Sequence, residues 1–229
     1  MAKKAVTWNL PNQIGFFTYQ YAKLRMLEFY YDCIDYYIDR SDYEMCEMDT
    51  DSLYFALSTN DLDSAVKPEK RYEFYNNYHH WFPSPACDEH REQFVQAKCD
   101  REEWASQECC IRRLKDDKFT PGLFKVEWCG DGMVSLCSKT YICFGGNPDV
   151  TNKENKVCSK GLNKKLNQFT RDTFLDVLKQ KKAGGGINRG FRASGNHIVS
   201  YEQERSALSY LYIKRKVLDD GVSTEPLDI

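Results

Sequence analysis

An α+β fold is predicted by three features of the sequence. Apolar residues recur at intervals of three and four over residues 13–40, which is a helical period. Two runs with a period of two flank Asp49-Thr50-Asp51-Ser52, the pattern of a β-hairpin. A second pair of alternating runs lies between Leu123 and Phe144, after an irregular and strongly charged middle.

The first element is read as one long amphipathic helix. Ile14, Phe17, Tyr21, Leu24, Leu27, Tyr31, Ile34 and Ile38 fall along a single stripe, and core packing is the expected use of such a stripe. Pro11-Asn12 is the expected entry and Arg40-Ser41-Asp42 the stop. In the hairpin that follows, Tyr43, Met45, Leu53, Phe55 and Leu57 alternate with Glu44, Cys46, Tyr54 and Ala56. Side chains on a strand change face at every residue, so Asp49 and Asp51 are expected to face one cation together. Mg²⁺ favours a few carboxylate oxygens with waters and phosphate oxygens, which an acidic hairpin tip supplies. An Asp-x-Asp at a turn also has a plainer use, since Asp bonds its own backbone and tolerates turn dihedrals.

Residues 58–118 are less regular. Pro68 punctuates a loop, Tyr72–Trp81 is aromatic-rich, and Pro83-Ser84-Pro85 is a break. Glu89–Lys115 reads as helical. His79, His80, Cys87, His90, Cys99, Cys109 and Cys110 fall in this region, but only Cys87-x-x-His90 has ligand-like spacing. With no second close pair to complement it, the spacing favours packing and exposed polar roles over zinc.

From Thr120 the alternation sharpens. Gly130-Asp131-Gly132 is a turn signal, and Met133–Phe144 reads as one strand carrying Ser138-Lys139-Thr140-Tyr141. Lys156, Lys160, Lys164 and Lys165 follow around Gly161, as a solvated basic loop or as a contact to a nucleic-acid backbone. Thr170 is the expected N-cap of a helix stopped by Gly184-Gly185-Gly186. Ile187–Arg192 and His197–Tyr201 form a hairpin, and Tyr210–Leu218 a further extended segment before a turn at Asp219-Asp220-Gly221.

Composition narrows little. The 229 residues carry a net charge of −2, which does not mark a nucleic-acid binder, although basic residues crowd the last third. Ten cysteines without a Cys-x-x-Cys pair, and no apolar signal core or membrane-length run, point to free thiols in a reduced intracellular compartment, with no membrane partner.

Met48-Asp49-Thr50-Asp51-Ser52-Leu53-Tyr54 resembles motif C of family-B DNA polymerases, and Lys139-x-Tyr141 resembles their Lys-x-Tyr motif in the right order along the chain. The chain as a whole resembles the carboxyl-terminal part of protein-primed polymerases of Polinton-type transposons and related viruses. Met48 and Cys46 depart from the commonest motif C. Nothing in residues 1–42 matches the family's motif A or its nucleotide-binding motif B.

The resemblance implies part of a polymerase palm, an antiparallel sheet packed on helices, over residues 1–145, with an insertion at about 60–118. A small thumb would occupy 146–229 and end naturally at Ile229. It implies DNA-directed nucleotidyl transfer with two Mg²⁺ ions, Asp49 and Asp51 as catalytic and metal-binding acids, and Lys139, Tyr141 and Lys160 on primer–template DNA. Deoxynucleoside triphosphates and a terminal protein primer would be further partners. Lacking motifs A and B, the isolated chain is expected to be inactive. The competing readings are a non-catalytic DNA-binding remnant and an Asp-x-Asp phosphatase of the haloacid dehalogenase type.

Overall fold

The computed structural model describes residues 11–210, 215–219 and 224–226. It has a mixed α+β fold with open antiparallel sheets, and its contacts divide the chain between Lys125 and Val126. Strands that the sequence grouped with residues 1–145 therefore fall in the second unit.

In the first unit, α1 (Asn12–Glu28) runs into a π-helical turn at Phe29–Ile34 and then a short α2 (Asp35–Tyr37). The expected helix is present, but its buried face is not the expected stripe. Ile14, Phe17, Tyr21, Leu24, Leu27 and Tyr31 are exposed, while Met26, Phe29, Cys33, Ile34, Tyr37 and Ile38 are buried. Residues 12–24 of α1 are exposed on every side, so no stripe is buried there; farther on, the π turn holds more residues per turn than an α-helix and shifts a count by threes and fours to another face. Only Ile34 and Ile38, beyond or at the end of that turn, keep their predicted burial.

β1 (Tyr43–Asp49) and β2 (Ser52–Leu57) form the expected hairpin, with Tyr43 opposite Leu57 and Asp49 opposite Ser52. A bulge between Met45 and Glu47 breaks the strict alternation. The hairpin rests on the π turn, not on Leu24 and Leu27. Tyr30, Tyr43 and Phe55 meet with ring centroids 5.9–6.3 Å apart, and the Tyr43 hydroxyl donates to Asp35 Oδ1 at 2.6 Å.

Short helices follow: α3 (Leu62–Ala65), α4 (Arg71–Asn76), α5 (Tyr78–Trp81), a 3-10 turn at Asp88–His90, α6 (Arg91–Cys99) and α7 (Glu108–Asp117). The single helix expected over Glu89–Lys115 is thus broken between α6 and α7, where Arg101 adopts a left-handed φ of 61°. Phe74, Tyr75, Phe82, Phe94 and Val95 share one core with the π turn. Phe29 stacks on Phe124 with centroids 3.9 Å apart, which ties the end of this unit to its centre.

The second unit holds β3 (Gly130–Cys137), β4 (Thr140–Gly146) and β5 (Lys156–Cys158) in one antiparallel sheet, with β4 central. The turn lies at Ser138-Lys139, not at Gly130-Asp131-Gly132. Lys139 accepts a left-handed φ of 65°, and Gly132 instead makes room within β3 for the Phe144 ring, which a Cβ would meet at 2.7 Å. α8 (Arg171–Gln180) covers this sheet and buries Phe174 and Val177 against Val134, Leu136 and Ile142. Its N-cap is Thr170, as expected, with reciprocal bonds to Thr173.

Lys181, at φ 51°, ends α8 in place of the expected glycines. Those glycines open β6 (Gly184–Ser194), which pairs along its length with β7 (His197–Leu208). The loop residue Asn167 grips this ribbon, accepting from Ile187 N–H and donating to Ile187 C=O, both at 2.7 Å. β8 (Arg215–Val217), within the extended segment expected over 210–218, pairs with β9 (Thr224–Pro226). Residues 211–214, the turn at Gly221 and the end at Ile229 lie outside the described residues, as does the N-terminal Met-Ala-Lys-Lys. Among the described residues, no helix is long and apolar enough to cross a membrane.

Candidate metal centre

The acidic tip is closed by its own groups. Asp49 ends β1, and Thr50 and Asp51 form a two-residue turn with Thr50 at φ 55°. Asp51 N–H and Ser52 Oγ donate to the Asp49 carbonyl at 2.6 and 3.2 Å, and Thr50 Oγ1 donates to Asp49 Oδ1 at 3.0 Å. Asp51 is exposed and Asp49 half-buried. The two acids therefore share a tip, one in the ladder and one in the turn, and not a common strand face.

Lys139 and Tyr141 are similarly separated. Lys139 sits in the β3–β4 turn and is half-buried, whereas Tyr141 lies inside β4 and is buried, opposite Ser135 and Cys158. The expectation that both project from one strand face fails, because the turn falls at Lys139 itself. Lys160, Lys164 and Lys165 are exposed in the loop after β5.

Among the described residues, the metal-ligating side chains that converge are Cys87, His90, Cys109 and Cys110, with their ligand atoms all within 4.8 Å of one another. Cys87 Sγ lies 3.0 Å from His90 Nδ1, 3.5 Å from Cys109 Sγ and 3.8 Å from Cys110 Sγ. Cys109 Sγ is 3.5 Å from His90 Nδ1. The local structure explains the convergence. Cys87 and His90 flank a 3-10 turn, in which residues three apart eclipse one another. Cys109 and Cys110 open α7, in its first turn. The loop before Cys87 is held against α7 by a buried bond, Ser84 N–H donating to Asp117 Oδ2 at 3.0 Å, and Arg113 one turn earlier in α7 pairs with the same carboxylate at 2.9 Å. Trp104 Nε1 donates to the Pro85 carbonyl at 3.0 Å from the other side.

The protons of the cluster are unevenly held. The His90 ring beside it lowers the Cys87 thiol, whereas Cys87 beside it, with burial, pushes the Cys109 thiol up to about 11. A sulfur that gives up its proton readily is the form a metal takes.

This finding overturns the expected cofactor. Thiolate and imidazole donors select zinc-type ions, whereas Mg²⁺ takes oxygen donors. The donor set that converges here is three sulfurs and one nitrogen, in place of the Mg²⁺ site expected at Asp49 and Asp51. The cluster also corrects the assignment of these residues to packing. The requirement for two separated close pairs missed it, because the second half is the adjacent pair Cys109-Cys110. That doublet, downstream of Cys87-x-x-His90, was the signal available in the sequence.

Comparison with protein families, curated proteins and solved structures finds no match to this chain.

Proposed function

We propose that this chain is a primer–template-binding palm and thumb portion of a family-B DNA polymerase, and not a complete catalyst by itself. The observation that carries the reading is the ordered pair of motifs on hairpins. Asp49-Thr50-Asp51-Ser52 closes β1–β2, and Ser138-Lys139-Thr140-Tyr141 closes β3–β4. In the polymerase reading Asp49 and Asp51 are the reacting-site acids, and deoxynucleoside triphosphates are substrates of the complete enzyme.

Two further features support it. Residues 151–182 hold nine Lys and Arg against three Asp and Glu, and Lys160, Lys164 and Lys165 are exposed there. Such a segment neutralises backbone phosphates without reading bases. The exposed part of α1, with Ile14, Phe16, Phe17, Tyr19, Tyr21 and Leu24 distributed around it, carries more apolar surface than isolated residues account for. In this reading an upstream palm segment with motif A would pack against it. The phosphatase reading loses support, because β2 follows the acids directly where that chemistry wants a helix soon after.

The test is a fluorescence-anisotropy titration of the chain on a primer–template duplex across a salt series, paired with a primer-extension assay. Salt-sensitive binding without extension is expected. Binding absent at low salt overturns the proposal, as does extension by this chain alone. Extension restored by supplying an upstream palm segment separates a polymerase portion from a non-catalytic remnant.

A further inference from the structure

We propose that Cys87, His90, Cys109 and Cys110 bind one Zn²⁺ in a closed tetrahedral site whose role is structural. The argument begins with the edges of the polyhedron. With Zn–S near 2.3 Å and Zn–N near 2.0–2.1 Å, a tetrahedron places two sulfurs about 3.8 Å apart and a sulfur about 3.5 Å from a nitrogen. Two of the three sulfur pairs here stand at 3.5 and 3.8 Å and two of the three sulfur–nitrogen pairs at 3.0 and 3.5 Å, with every donor pair within 4.8 Å. A disulfide between two of them would need sulfurs about 2.05 Å apart, and all ten cysteines are free thiols.

The surroundings suit a metal that is held permanently. Cys110 is fully buried, and the Cys87 N–H points at its sulfur at 3.5 Å, a contact that offsets thiolate charge. Cys109 and Cys110 sit in the first turn of α7, where the helix dipole favours negative charge. Four protein ligands leave no open position for water or substrate, which separates a structural site from a catalytic one.

The location explains why an ion is useful. The ligand pairs lie on either side of α6, and between α6 and α7 the chain runs irregularly from Asp100 to Gln107. Little regular hydrogen bonding holds that stretch. Zn²⁺ would join the Ala86–His90 turn to the start of α7 and so fix the wall formed by Phe82, Phe94 and Trp104. The site depends only on its own donors, so it stands or falls apart from the DNA-binding reading.

The experiment uses the whole 229-residue chain, purified from zinc-replete medium without chelator. Elemental analysis is expected to find one zinc per chain. Substitution by Co²⁺ is expected to give the intense visible bands of a tetrahedral ion and a sulfur-to-metal charge-transfer band. Cys109→Ser and His90→Asn should each lose the metal, while Cys99→Ser, outside the cluster, should keep it. Chelation should open Asp100–Gln107 to protease. A chain that is folded by circular dichroism yet carries far less than one zinc, with a weak octahedral cobalt spectrum, overturns the proposal. So does equal loss of zinc from Cys99→Ser. If a cluster variant fails to fold, the wild-type cobalt spectrum still decides.

Discussion

Replacing Phe29 by Ala is expected to be among the most damaging single changes in the first unit. Phe29 is only 6% exposed, stacks on Phe124 at 3.9 Å and meets Trp81 and Phe82 edge-on at 5.9 and 5.7 Å. Truncating a buried Phe costs about 3–5 kcal/mol, of which each aromatic pair accounts for about 0.5–1.5 kcal/mol beyond area burial. A unit of 125 residues has a stability of roughly 6–19 kcal/mol, so Phe29→Ala removes a large fraction of it. Phe17→Ala is the matched comparison. Phe17 belongs to the stripe that periodicity marked as core, yet it is 54% exposed, and its loss should cost about 1 kcal/mol or less. Urea unfolding followed by Trp fluorescence reads both, because Trp81 touches Phe29 directly. Equal destabilisation by the two substitutions would refute the placement of the core at the π turn and away from the Phe17 stripe, and with it the account of how β1–β2 is seated.

Other outcomes follow from single contacts. Hydrogen bonds from Arg40 and then Tyr43 hold the Asp35 carboxyl below its ordinary value of 3.8. Its contribution to stability is therefore present above 3.8 and is lost as pH falls through the lower folded value. Asp35→Asn should lower Tm at neutral pH and flatten the loss of Tm as pH falls from 3.8 to the folded value. Asn167→Asp keeps the acceptor for Ile187 N–H but sets an oxygen against the Ile187 carbonyl, so a loss of about 1–3 kcal/mol is expected in denaturant melts. Gly186→Ala should cost a similar amount, since its Cβ would lie 2.3 Å from Asn167 Oδ1. If Lys160 contacts a phosphate, Lys160→Ala should weaken DNA binding at all sequences alike and reduce the salt slope by about 0.9; an unchanged slope removes that contact.

The sequence by itself determined the features that local chemistry decides. The β1–β2 hairpin follows from period-two runs around a polar turn, and the start of α8 follows from a threonine able to cap it. Both are settled within a few residues, so neighbours in sequence are neighbours in space. Other features were decided by distant contacts. The π turn at Phe29–Ile34 moved the core to Phe29, Cys33 and Tyr37, although the helix itself was foreseen. Steric demand from Phe144 on Gly132 accompanied a turn at Lys139, which took that lysine out of the strand. The Cys87–Cys110 cluster shows the limit most clearly. Its two halves are separated by α6, and a spacing rule registers only ligands that lie close in the chain. The fold brought them within 4.8 Å by packing the Ser84–Ala86 loop on Asp117 and Trp104.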